Sequence, residues 1–229
     1  MPNSKPLPRG QRELDHFPRY GLYQFANWSL PGTGLKLDIK AHGGKSISLD
    51  EHDLAQLPRV EQTSDFHCVT TWSVREIHWA GYRFRDFYEQ IVVPQLSPAD
   101  NATVVIFRSA DGYRTYMSLG DLLAADILLA DQVNGGPLGL AHGGPIRLVA
   151  PAHYGYKSAK HLSEIEFSPD LQGYRPVALH WHEHPRARVA LEERGRFIPI
   201  WLQRYVNVAI IPTVLYWYRR AARKVSKSD

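Results

Sequence analysis

Apolar and polar residues alternate over residues 35–39, with Leu35, Leu37 and Ile39 on one side, which predicts a strand. A turn over 41–46 contains Gly43 and Gly44, and Ile47 and Leu49 then resume the alternation, so the two runs read as a hairpin. A short helix over 48–54 follows, capped by Asp50 or Ser48 and stopped by Pro58. Residues 60–72 read as one strand, and 79–84 as a turn into a helix over 84–92. The continuous β-branched run 103–107 is the pattern of a buried strand, and Ser109 to Tyr113 is a hairpin turn. Leu119, Leu122, Leu123 and Ile127 fit a helical stripe, which predicts a helix over 119–129. Two further strands are expected at 146–151, with Arg147 inside it, and at 165–167.

Three stretches depart from this alternation. Residues 1–34 are rich in Pro and Gly, with aromatics at Phe17, Tyr20, Tyr23, Phe25 and Trp28, and read as an extended arm packed over a surface. Residues 133–144 are glycine-rich. Residues 197–218 are apolar and aromatic, then basic at Arg219, Arg220, Arg223 and Lys224. Pro199, Gln203, Arg204, Asn207 and Pro212 argue against a bilayer span, since a central Arg costs about 2.5–3.5 kcal/mol on the insertion scale. A helix docked on the domain, on another subunit or on a membrane-bound partner is the expectation.

The chain has 229 residues, 44% of them hydrophobic and 22% charged, which is ordinary for a globular protein. A net charge of +4 is too weak to argue for nucleic acid, and it fits a local site for an anionic ligand equally well. The first ten residues carry neither an apolar segment nor a twin-arginine pair, so a cytoplasmic location, peripheral to the membrane at most, is expected.

Cys68 is the single cysteine, so it has no disulfide partner within the chain. It reads either as a small buried hydrophobe or as a soft thiolate, a metal ligand or nucleophile. One thiolate cannot hold a structural zinc, so a metal here takes most of its ligands from elsewhere. In His142-Gly143-Gly144-Pro145, glycines allow backbone N–H groups to approach an anion, while Arg147, Lys157 and Lys160 supply positive charge. No P-loop or dinucleotide fingerprint is present. An arginine inside a strand is expected to have an anionic partner. His180-Trp181-His182-Glu183-His184 presents three histidines at strand spacing, but Pro185 follows at once, and a loop near the site mouth is the preferred reading over a zinc site.

The segment Ala141-His142-Gly143-Gly144-Pro145-Ile146-Arg147-Leu148-Val149-Ala150-Pro151, followed by Tyr154-Gly155-Tyr156-Lys157-Ser158-Ala159-Lys160, resembles the signature of the sulfite oxidase family of molybdopterin enzymes. The Cys68 segment with Trp72, Trp79 and Gly81 resembles the part holding that family's molybdenum-ligating cysteine. Residues 109–113 and the arm (Pro8-Arg9-Gly10-Gln11, Phe17-Pro18) are also similar to family segments. The resemblance implies an α+β fold with a mainly antiparallel β core, a C-terminal helical extension, and a molybdenum-molybdopterin cofactor. It implies that Cys68 ligates the metal. It also implies that His142, Arg147, Ser158, Ala159 and Lys160 line the pterin and its phosphate, with Ser109, Tyr20, Tyr23 and Gln24 as further contacts. The arm then covers 1–34, the cofactor domain 35–175 and the extension 176–229.

The sequence departs from true sulfite oxidases beside the cysteine, where they have an arginine before it and a basic run after it. Here His67 and Val69-Thr70-Thr71-Trp72 occupy those places. Sulfite is therefore disfavoured as substrate. The expectation is an oxidoreductase of oxygen-atom-transfer or reductase type, acting on a small molecule, with electrons exchanged through a separate partner, either free or membrane-associated. His67 either titrates near neutrality and assists catalysis or points away from Cys68 as its strand neighbour. A non-catalytic cofactor- or anion-binding module and a membrane-surface adaptor are the alternatives.

Overall fold

The computed structural model describes residues 6–21, 25–26, 29, 34–97, 101–177, 183–196 and 199. In the C-terminal part it describes 202, 205–206, 209, 212–213, 216 and 220. Alternation explains the first sheet. Strand β2 (Leu37–Ala41) turns Leu37, Ile39 and Ala41 inward and pairs antiparallel with β3 (Ser46–Leu49). Helix α1 (Glu51–Leu54) follows, capped by Asp50, whose side chain accepts from the His52 and Asp53 N–H groups. Strands β6 (Val104–Ser109), β7 (Arg114–Ser118) and β11 (Leu162–Ser168) complete a sheet ordered β3-β2-β11-β6-β7. Only β11 and β2 pair in parallel there. On its outer face Glu164 and Glu166 alternate with buried Ile165 and Phe167 and form ion pairs with Lys40 and Arg108.

The second sheet holds β1 (Arg12–Glu13), β4 (Arg59–His67), β5 (Trp72–Arg83), β8 (Leu128–Val133), β9 (Gly136–Pro137) and β10 (Arg147–Val149). Apart from the parallel β1–β5 contact, its pairings are antiparallel. The main core lies between the two sheets, with Leu37, Ile39, Val105, Phe107, Ile165 and Phe167 facing Tyr82, Leu129, Ile146 and Leu148. One helical segment closes it: α2 (Phe84–Phe87) runs through a π-helical turn (Tyr88–Val92) into α3 (Val93–Leu96), burying Phe84, Phe87, Ile91, Val92 and Leu96. The opposite face of the second sheet carries a smaller cluster: Cys68, Trp72, Val74, Ile77, Trp79, Leu128, Ala130, Leu138 and Val149, packed by Phe17 and Tyr20 of the arm. The fold is α+β with a mainly antiparallel core.

Several local expectations are corrected. The strand over 60–72 is two strands, and Cys68 lies in the turn between them. Residues 79–83 are the end of β5, not a turn, and Phe84 opens α2. The helix over 119–129 is α4 (Leu119–Leu122) alone, and 128–133 forms the interior strand β8. Such a strand, buried on both faces, is a continuous apolar run that a helical stripe also matches. Residues 183–196, which include a 3-10 turn (Val189–Leu191), are packed with the body, and Glu183 and Arg194 are buried. The described positions between 202 and 220 are helical, with Leu202, Tyr205 and Tyr216 exposed. Most of the aromatic stretch 197–218 lies outside the described residues, as do Tyr23, Gln24, His180 and His182. Among the described residues no helix is long and apolar enough to cross a membrane.

Candidate active site

Strands β4 and β5 pair as a hairpin with His67 opposite Ser73, and Cys68 to Thr71 form its turn. The Cys68 N–H donates to Trp72 O at 2.8 Å and the Thr71 N–H to Cys68 O at 3.1 Å. Thr71 sits at φ +74, a conformation that costs a β-branched residue about 1–3 kcal/mol and is commonest at functional sites. Gln11 of the arm donates its Nε2 to Cys68 O at 3.0 Å. Cys68 is 7% exposed, and its Sγ lies 3.1 Å from Thr70 Oγ1. Burial pushes its thiol up, opposed by the Thr70 contacts and by the charges of Arg194 and Lys160. The Tyr20 hydroxyl pKa is raised, mainly by burial, with Thr70 opposing the shift. His67 places Nδ1 2.8 Å from Ser73 Oγ, which in turn donates to Gln11 Oε1 at 3.2 Å. Burial lowers the His67 pKa.

The second wall is the stretch 142–161. Gly143 has φ +102, and a Cβ there would lie 2.8 Å from the Lys160 side chain, so glycine is required for Lys160 to lie across the loop. Gly155 is equally constrained: a Cβ would come within 2.2 Å of the Phe66 ring. Lys160 Nζ donates to Tyr20 O at 2.9 Å, joining this wall to the arm. Burial and the Arg147 charge bring Lys160 down to about 7.

Arg147 is 2% exposed and lacks the anionic partner expected of it. It donates to His142 O (2.8 Å), Ser158 O (3.2 Å) and Leu148 O (3.3 Å). Its guanidinium also lies 5.0 Å from the Trp79 ring centroid and near Phe17 and Phe66. Among the described residues no carboxylate pairs with it, and burial lowers its pKa to about 9. His142 stacks on Phe17 at 4.8 Å. Ser158 Oγ accepts the Ala150 N–H, and Ala159 is buried in the main core with its carbonyl accepting the Leu148 N–H.

Two buried polar atoms on this wall, His142 Nδ1 and Ser109 Oγ, have no hydrogen-bond partner among the described residues. Ser109 ends β6 opposite Leu162, beside Ala110, which donates to His161 O. His161 was not expected at the site. Its Nδ1 lies 2.6 Å from Gly144 O, and burial brings it down to about 4. Arg194 and Thr70 were missed too, because neither lies in a motif. Of the histidine run, His184 Nδ1 accepts the Ala187 N–H at 2.9 Å, and Glu183 pairs with Lys157. Among the described residues no group of His, Cys, Asp and Glu is arranged to hold a metal by itself.

A buried lone thiol therefore faces a wall with two buried cations that lack a close counter-ion and two unpartnered polar atoms. A family model described as the oxidoreductase molybdopterin binding domain matches residues 30–173. The chain belongs to that family. This molybdopterin-binding oxidoreductase domain is 39% identical over 122 residues to the uncharacterized oxidoreductase YuiH of Bacillus subtilis, covering 53% of the chain and 59% of that protein. It is 28% identical over 147 residues to the protein-methionine-sulfoxide reductase catalytic subunit MsrP of Campylobacter jejuni, covering 59% of the chain and 49% of that protein. It is 28% identical over 158 residues to mitochondrial sulfite oxidase of Homo sapiens, covering 58% of the chain and 28% of that protein. The chain thus spans less than two thirds of each. The sulfane dehydrogenase SoxCD of Paracoccus pantotrophus shares the fold, with a TM-score of 0.52 at 17% identity over 63% of this chain and 40% of that one. The molybdopterin-molybdenum cofactor is the family's, and the donors at this site fit it: one thiol for a soft metal, and cations with polar atoms unpartnered among the described residues for a phosphate-bearing pterin.

Proposed function

We propose that the chain is a molybdenum oxidoreductase of the oxygen-atom-transfer or reductase type, working on a small neutral oxide rather than on sulfite, with electrons exchanged through a separate protein partner. The observation that carries the reading is the pair of buried cations Arg147 and Lys160, neither in an ion pair among the described residues and only Lys160 with a carboxylate, Asp111, in the neighbourhood, together with the unpartnered His142 Nδ1 and Ser109 Oγ. Buried cations without carboxylates are costly unless an anion completes them.

In this reading Cys68 ligates the metal, and coordination removes the proton that burial otherwise keeps on the thiol. Lys160, Ser109 and His142 contact the pterin and its phosphate. Arg147 holds the wall in shape through His142 O and Ser158 O. Ser158 and Ala159 act through the backbone geometry that places Lys160. Tyr20 supports Lys160 from the arm, and His67 braces the turn through Ser73. When bound, the cofactor supplies the two-electron redox change and the site of oxygen transfer. The protein binds and orients it and keeps water from the buried sulfur. Residues 35–196 form the cofactor domain, with the arm laid over the site.

The absence of Lys and Arg at positions 67 and 69–72 supports a neutral substrate, since the one guanidinium fork brought to this turn, that of Arg194, is already committed to the Val69 and Arg9 carbonyls rather than offered to an oxyanion. The relationship to a sulfoxide reductase supports the direction. The test is metal and pterin analysis of the purified protein, followed by dye-driven assays with methionine sulfoxide and with sulfite. One molybdenum per chain and sulfoxide reduction without sulfite oxidation are expected. Protein that binds neither molybdenum nor pterin would sink the reading.

A further inference from the structure

No cation flanks Cys68 in the sequence, yet the structure brings one to its turn from far along the chain. Arg194 donates Nη1 to Val69 O at 2.7 Å, a residue 125 positions away, and Nη2 to Arg9 O at 3.1 Å. Its side chain is fully buried, with the guanidinium over the Tyr154 ring at 4.9 Å. The closest carboxylate oxygen, on Glu192, is 3.8 Å away. Arg194 Nε is buried and has no partner among the described residues. The planar guanidinium fork suits this place, because it reaches two carbonyls of different segments and keeps its charge when buried.

We infer that Arg194 is the positioning residue of the metal-binding turn: it fixes Val69 against the arm and holds a permanent positive charge beside the Cys68 sulfur. The inference rests on Cys68 being the metal's thiolate. A fixed positive charge near a sulfur ligand favours the more reduced metal and raises its potential, the way groups behind a ligand tune a metal centre. Val69, whose carbonyl Arg194 holds, follows Cys68 directly, so the charge sits one residue from the sulfur ligand. Arg194 thereby makes the segment 183–196 part of the centre, although it comes after residues 30–173 matched by the family model.

The experiment compares Arg194→Gln, Arg194→Lys and Cys68→Ser in cofactor-loaded full-length protein. The readouts are molybdenum content and the midpoint potential of the metal from a redox titration followed by electron paramagnetic resonance. Arg194→Gln is expected to shift the potential downward at unchanged molybdenum content, and Arg194→Lys, which keeps the charge, to stay near the parent. A folded, loaded Arg194→Gln protein with the parent's potential overturns the inference. Should the glutamine variant fail to fold, Arg194→Lys decides alone: a lowered potential there shows that charge is not what acts. A Cys68→Ser protein with the parent's potential overturns the thiolate reading itself, independently of Arg194.

Discussion

Replacing Glu183 by glutamine tests how the segment after residue 182 is tied to the site. Lys157 Nζ donates to Glu183 Oε1 at 2.8 Å and to Tyr116 O at 2.8 Å, with both charged side chains buried. Thr115 Oγ1 donates to the same carboxylate oxygen, and Tyr174 OH to the other at 2.8 Å. Each described partner of the carboxylate is a donor, so the new amide NH2 points at one of them. The Lys157 ammonium, whose pKa burial already lowers, then loses its ion-pair partner and keeps only the more distant charge of Asp121. Removing one member of a buried pair costs about 3–5 kcal/mol. For a chain of this size about 1 kcal/mol corresponds to 2–4 °C, so the melting temperature should fall by roughly 6–20 °C. Thermal unfolding of the cofactor-free protein measures this. The double variant Lys157→Met, Glu183→Met should recover most of the loss, because the charges leave together. A glutamine variant within 2 °C of the parent (less than about 1 kcal/mol), or single effects that simply add, would refute the reasoning.

Cys68→Ser should fold normally, since the sulfur is half of one weak bond to Thr70, but should lose molybdenum-dependent turnover; elemental analysis and dye assays check this. Arg147→Ala frees three carbonyls, each left buried at about 1–3 kcal/mol, so it should be destabilised and purify with little molybdenum; equal metal content would move the cradle elsewhere. Lys160 gives a pH signature. Its folded pKa is about 7 against 10.5 for a free lysine, so the unfolded chain holds a proton that the folded cofactor-free chain releases between those values. Stability of the cofactor-free protein should therefore rise with pH across about 7 to 10.5, the full penalty of the buried charge being present below 7. Binding of a phosphate-bearing group restores the proton, so its affinity should fall as pH rises above 7, and Lys160→Met should flatten both slopes in pH-dependent melting and binding titrations.

The elements that were legible in the sequence are those whose burial is one-sided. Leu37, Ile39 and Ala41 alternate with solvent-facing residues, and Glu164 and Glu166 alternate with Ile165 and Phe167, so period and structure agree. Strand β8 was not legible because an interior strand has no polar face to mark its period. The Cys68 turn was hidden for another reason. Its left-handed residue is Thr71, and no glycine, asparagine or proline signals a reversal there. Of the site, the glycines and basic residues of 142–160 were visible as a run, but the use of Arg147 on carbonyls was not. Thr70 and Arg194 carry no local signal, since their partners are set by tertiary contacts alone.

Arg194 spans 185 positions to Arg9 and 125 to Val69. At about 5–20 residues per second of synthesis, the Cys68 turn emerges on the order of 6–25 s before the residue that clamps it. For most of that interval the residues 142–161 are not yet made either, so the turn waits for both its second wall and its fastening. The turn therefore gains this fastening only once residue 194 has been made, long after the strands that flank it.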